Sequence, residues 1–116
     1  MKPTDELNAV YALHKALDSK FARNTVIMDL RGLSPIADFF VITTGANAPQ
    51  ISALADVAEK TLKENGLQLF HTEGMQTAKW VLLDFGAVVV HLFDKESREY
   101  FNLERIWRDA KVVAME

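Results

Sequence analysis

The chain contains no cysteine. That removes a disulfide framework, a thiol nucleophile and any thiolate metal site, and it is the usage expected of a reducing compartment. Histidine is scarce. His14, His71 and His91 are the only three, and no two have the local spacing of a metal-binding pair such as His-Glu-x-x-His. The five glycines stand singly, at turns. There is therefore no Walker loop, no Gly-x-Gly-x-x-Gly fingerprint and no Gly-x-Ser-x-Gly elbow. No cofactor is expected. The longest charge-free stretch, Phe39 to Ala55, is 17 residues long and is interrupted by Gly45, Asn47, Pro49 and Gln50, so it is not a membrane span. The opening residues, Met1-Lys2-Pro3-Thr4-Asp5-Glu6, have neither the apolar core of a signal peptide nor the Arg/Ser character of a transit peptide. A cytoplasmic location is the expectation.

What is present is ordinary globular material. The 116 residues are 49% hydrophobic and 25% charged, which predicts a single domain over residues 1–116 that folds without staples. Thirteen Lys and Arg face sixteen Asp and Glu, for a net charge of -3. A protein that binds nucleic acid unaided draws most of its affinity from neutralising phosphates and carries a basic surplus. The reverse balance here points to a basic protein surface as partner, with little or no direct nucleic acid and no membrane.

The periodicity predicts a mixed α/β sheet. Residues 4–20 read as an amphipathic helix with Leu7, Val10, Leu13 and Leu17 on one face, Thr4 as cap and Asp5 and Glu6 in the first turn. Residues 25–30 read as a β-branched strand. Residues 39–44 read as a continuous apolar strand, the pattern of a strand buried on both faces. Asn47 caps a second helix running to about Asn65, with Ile51, Leu54, Val57, Ala58 and Leu62 as its stripe and Gly66 as its stop. A third strand is expected over 67–71. A final helical region over 94–109 is capped by Asp94 and buries Tyr100, Phe101, Leu103, Ile106 and Trp107. The order α-β-β-α-β-β-β-α predicts about five strands with helices packed on at least one face.

The hairpin is the most informative segment. Residues 80–85 and 88–93 flank Gly86-Ala87, which predicts a type II′ turn. That register puts Phe85, Leu83, Val81, Val88, Val90 and Leu92 on one apolar face. The other face pairs Asp84 with Val89, Leu82 with His91 and Trp80 with Phe93. It is large and aromatic yet carries a carboxylate and an imidazole, a mixture more typical of binding faces than of cores. Trp80, Leu82, Asp84, Val89, His91 and Phe93 are therefore the candidate partner-binding residues. Trp80 is either a core filler or an exposed anchor. His91 and Asp84 sit diagonally, within reach of each other.

Two catalytic readings remain open at this stage. Asp29, Asp38 and Asp84 lie in or beside strands and could hold a metal ion, which would make the chain a small metal-dependent nucleotidyl or phosphoryl transferase; lone strand-end aspartates more often form turns. Thr43-Thr44-Gly45-Ala46-Asn47 leads from a strand to a helix N-terminus, and is either an anion loop or a helix cap after a tight turn. A dimeric scaffold is a third possibility.

Several segments together resemble the ribosomal silencing factor, or Iojap, family. They are Asp29-Leu30-Arg31-Gly32-Leu33-Ser34-Pro35-Ile36-Ala37-Asp38-Phe39-Phe40-Val41-Ile42, Thr44-Gly45, Gln50-Ile51, Ala55-Asp56, Glu73-Gly74, Trp80-Val81-Leu82-Leu83-Asp84-Phe85-Gly86, Val88-Val89-Val90-His91 and Arg98-Glu99-Tyr100, followed by Leu103-Glu104 and Trp107. The sequence departs from the pattern at Pro49, where the family usually has Arg, and at Ala87, where it usually has Asp. The resemblance implies a nucleotidyltransferase-like α/β fold that lacks the catalytic motif. It also implies a non-enzymatic regulator that binds the large ribosomal subunit through its ribosomal protein fourteen. Such a regulator blocks joining of the small subunit and damps translation when nutrients are short. A face left open in the free protein would also favour a homodimer.

Overall fold

The computed structural model describes the backbone of residues 3–113 and the side chains from residue 6. Helix α1 (Pro3–Ser19) is followed by β1 (Arg23–Asp29), β2 (Phe39–Thr44), α2 (Ala48–Glu64), β3 (His71–Glu73), β4 (Trp80–Asp84) and β5 (Val88–Phe93). The chain then forms α3 (Lys95–Phe101), α4 (Leu103–Ile106) and β6 (Lys111–Val112). The expected cap Thr4 falls inside α1, and its side chain and that of Asp5 lie outside the described residues.

The strands make one six-stranded mixed sheet in the order β3-β4-β5-β2-β1-β6. Only β2 and β5 run parallel among the described pairs. The central place of β2 explains its sequence. All six of its residues are buried because β1 and β5 flank it and both sheet faces are covered. The hairpin forms in the expected register, with Trp80 opposite Phe93, Leu82 opposite His91 and Asp84 opposite Val89. Gly86 takes φ +81° while Ala87 keeps an ordinary negative φ, the φ pattern of a type II′ turn.

Two clusters of side chains sandwich the sheet. On one face Val10, Leu13 and Leu17 of α1 and Ile51, Leu54, Ala58 and Leu62 of α2 cover Val41, Val81, Leu83, Val90 and Leu92. The other face packs Met28, Phe40, Ile42, Val89 and Phe93 under the half-buried Leu103 and Trp107 and the buried Ala110. Asn47 caps α2 by accepting from the Gln50 amide at 2.9 Å, and Pro49 sits harmlessly in the first turn. The molecule measures 35 × 30 × 28 Å.

The structure departs from the sequence reading in three places. Residues 67–70 are not strand: Leu67 is buried in the core just after Gly66 ends α2, and ladder pairing is assigned only from His71. The expected helix over 94–109 is broken at Asn102, which takes a left-handed φ of 46°. Of the five residues expected on its buried side, Tyr100, Phe101 and Ile106 are exposed and only Leu103 and Trp107 pack inward. The sixth strand was also unforeseen. Two residues long, it pairs with Met28 and Asp29 at the sheet edge.

Candidate functional site

The six hairpin residues share one face, as the register required, but they are not equally open. Val89, His91 and Phe93 are buried at 5%, 3% and 1% exposure, while Trp80, Leu82 and Asp84 are half-buried. The expectation of an open face is thus corrected for the three β5 residues. β5 lies inside the sheet, whereas β4 is next to its edge, and the segment after β5 folds back over the inner strands.

Trp80 is the hinge between the buried and the accessible parts. Its ring stacks on Phe93 at 5.1 Å and tilts against Phe101 of α3 at 4.6 Å. Its indole Nε1–H donates to His91 Nδ1 at 3.1 Å. The His91 proton therefore sits on Nε2, the nitrogen not accepting that bond. Nε2 is buried and has no partner among the described residues; the Phe40 ring lies edge-on with its centroid 4.5 Å from that of the imidazole. Burial alone lowers the His91 pKa from 6.5 to about 4, so the ring is neutral at physiological pH. His91 does not pair with Asp84, contrary to expectation. Asp84 Oδ1 instead accepts from the Gly86 amide at 2.8 Å and fixes the hairpin turn.

Next to Trp80, the break at Asn102 turns apolar side chains outward. Tyr100 is 83% exposed, Ile106 66% and Phe101 42%, and Tyr100 meets Phe101 edge-on at 5.1 Å. With Arg105 and Arg108 these residues line a shallow hollow of about 480 Å³. Exposed aromatics beside arginine match the composition of protein-interface cores. Sequence periodicity assigned these aromatics to a core. The available signal was Asn102 itself, a residue that tolerates the left-handed turn ending a helix. The hollow also does not share the acidity of the whole chain, since Arg105 and Arg108 outnumber Glu99 there.

The three aspartates do not converge. Asp29 accepts from the Arg31 amide and from its Nε and Nη2, and this pairing holds its carboxyl below the usual range. Asp38 lies beside Glu6, whose pKa is raised by burial first and by that neighbour second. Asp84 belongs to the hairpin turn. No group of three His, Asp or Glu residues is placed to hold a metal ion among the described residues. In the loop at 43–47 the amides of Gly45 and Ala46 are occupied as well. Gly45 donates to the Phe93 carbonyl, Ala46 to the Gln50 side chain, and Gln50 to Asn47, so this segment is a capped turn. No helix among the described residues is long and apolar enough to cross a membrane.

Comparison with known proteins gives a consistent result. A family model described as "Ribosomal silencing factor during starvation" matches residues 3–116. A ribosomal silencing factor of Halalkalibacterium halodurans is 44% identical over 101 residues, covering 87% of this chain and 86% of that protein. A crystal structure of a Bacillus halodurans protein superposes with a TM-score of 0.80 at 36% identity, covering 94% of this chain and 99% of that one. A Chromobacterium violaceum protein superposes with a TM-score of 0.83 at 27% identity, over 94% and 90% of the two chains.

Proposed function

The chain belongs to the ribosomal silencing factor family, and from that premise we propose that it represses translation by docking on the large ribosomal subunit and obstructing the small one. The partner on the subunit is ribosomal protein fourteen, and the action is occupancy without chemistry. The nucleotidyltransferase-like sheet serves as a scaffold for the docking surface. The setting is the cytoplasm under nutrient limitation. The free protein pairs with a second copy through the same surface.

One observation carries this reading: Tyr100, Phe101 and Ile106 stand exposed beside the half-buried Trp80 instead of completing a core. Leaving such side chains in water is unfavourable, and a partner that covers them gains the apolar area. The net charge of -3 favours long-range approach to a basic protein, whereas at the hollow, which is not acidic, the apolar side chains and the hydrogen bonds of Arg105 and Arg108 carry the contact. A specific interface buries about 1,200–2,000 Å² in total. A body of 35 × 30 × 28 Å can give that area and still protrude into the path of a second subunit.

Co-sedimentation with purified large subunits tests the proposal. Tyr100→Ala should weaken binding by about 2 kcal/mol while leaving the fold intact, because its ring is an exposed anchor. Trp80→Ala should weaken binding by about 2–4 kcal/mol, with some loss of stability from its stacking on Phe93. Parent-like pelleting of both variants would reject this surface.

A further inference from the structure

A second concave surface adjoins the first, with Glu99 and Asn102 lining both. It is an open cleft of about 800 Å³ between the start of β1 and the start of α3. Thr44, the last residue of β2, and Lys95, just beyond β5, both line it, so it opens past the carboxyl ends of the parallel strand pair. That is where open α/β sheets bind ligands, because the connections diverge there and leave a crevice. Its volume falls within the range of small-molecule sites.

The cleft has a sign. Arg23, Lys95 and Arg98 face Glu99 and Glu104, and Glu104 is already taken by Arg98 Nε at 3.0 Å. Arg23 and Lys95 are exposed and make no ion pair among the described residues. Arg98 is built into the wall, with its side chain 12% exposed and its Nη1 donating to Thr44 Oγ1 at 3.0 Å. Its Nη2 has no hydrogen bond among the described residues and is not buried. A fixed guanidinium with a free Nη2, flanked by two unpaired cations that outnumber the one unpaired carboxylate, Glu99, suits a phosphate group.

The backbone around the cleft is shaped as well. Asn24 and Asn102 both line it, and both hold a left-handed φ, of 53° and 46°. The β1–β2 register shifts between Arg23 and Val26, at the same spot. Among the described residues no aromatic ring lines the cleft, so a nucleobase would find no stacking face from them.

We propose that this cleft binds a compact phosphate-bearing anion, a pyrophosphate or a sugar phosphate, through Arg23, Lys95 and Arg98. The cleft adjoins the docking hollow and shares Glu99 and Asn102 with it, but Arg23, Lys95 and Arg98 lie outside that hollow, so charge can be removed from either one alone.

Titration calorimetry on the full chain at low ionic strength, with sodium pyrophosphate and with ribose 5-phosphate as probes, tests it. At least one probe should give saturable heat. The Arg23→Ala/Lys95→Ala double variant should weaken that binding at least about tenfold, since two charge-assisted contacts are lost. Both residues are exposed, so its urea midpoint should match the parent's. The Arg105→Ala/Arg108→Ala variant removes equal charge from the docking hollow and should bind as the parent does. Silence with both probes overturns the site, as does equal weakening in the two double variants. Adenosine diphosphate binding far more tightly than pyrophosphate would overturn the compact ligand.

Discussion

The two faces of the sheet are built from the same strands yet covered very differently. One lies under two helices of 17 residues each, α1 and α2, and buries a large apolar cluster with the hydroxyl of Thr43, the register partner of Leu92, beside it. The other lies under helices of seven and four residues and the turn that follows them, and it includes a buried imidazole and a half-buried indole. A long amphipathic helix can carry a full apolar stripe across several strands, whereas a one- or two-turn helix cannot. The thin face therefore leaves Trp80, Leu82, Leu103 and Trp107 half-covered and turns Tyr100, Phe101 and Ile106 to solvent. The thick face holds most of the buried apolar side chains, and the thin face leaves several uncovered.

The sharpest way to break that comparison is to damage the thick face. Leu54→Ala removes a fully buried side chain between α2 and the sheet and should cost about 2–5 kcal/mol of unfolding free energy. Urea denaturation measures it. A loss below 1 kcal/mol would mean the two faces do not differ as described.

The thin face should show itself through pH. His91 has its pKa lowered to about 4, so the folded state resists protonation that the unfolded chain accepts near 6.5. Its neutral form is fully compatible with folding above 6.5. Stability is then lost as pH falls from 6.5 toward 4, by up to about 3 kcal/mol, and the loss levels off below that. His91→Leu should remove most of this slope in urea midpoints taken across the window. An unchanged slope would place the acid sensitivity elsewhere.

The smallest expected effect is at the outer rim. Tyr100→Ala should change unfolding free energy by less than about 0.5 kcal/mol, because its ring is 83% exposed. The same variant weakens subunit binding if the rim is the docking surface. A large stability loss would make Tyr100 part of a core after all.

Much of the fold was legible because it rests on local periodicity. The stripes of α1 and α2, the doubly buried β2 and the 80–93 hairpin register follow from which residues repeat every two or every three to four positions. The six hairpin side chains were brought to one face for the same reason. Their burial was not legible. Whether Phe93 and Val89 meet water depends on what folds over them, and the covering residues Leu103, Trp107 and Ala110 are ten or more positions away. The acid–base partners were not legible either. Diagonal spacing offered Asp84 to His91, but the imidazole took the Trp80 N–H and the carboxylate took the turn amide.

The sequence by itself determined the class of molecule. It specified a cysteine-free mixed α/β sheet with two amphipathic helices and an aromatic hairpin, because composition and repeat spacing depend only on neighbours along the chain. Only the tertiary structure decided which aromatics are covered and which charges share a cleft. Arg23 and Arg98 are 75 positions apart, yet Arg98 donates to the Arg23 carbonyl. Such meetings are set by the order of strands in the sheet: β5 pairs with β2 and the end of β2 with the start of β1, which brings α3, just after β5, beside Arg23, and no local pattern encodes that order.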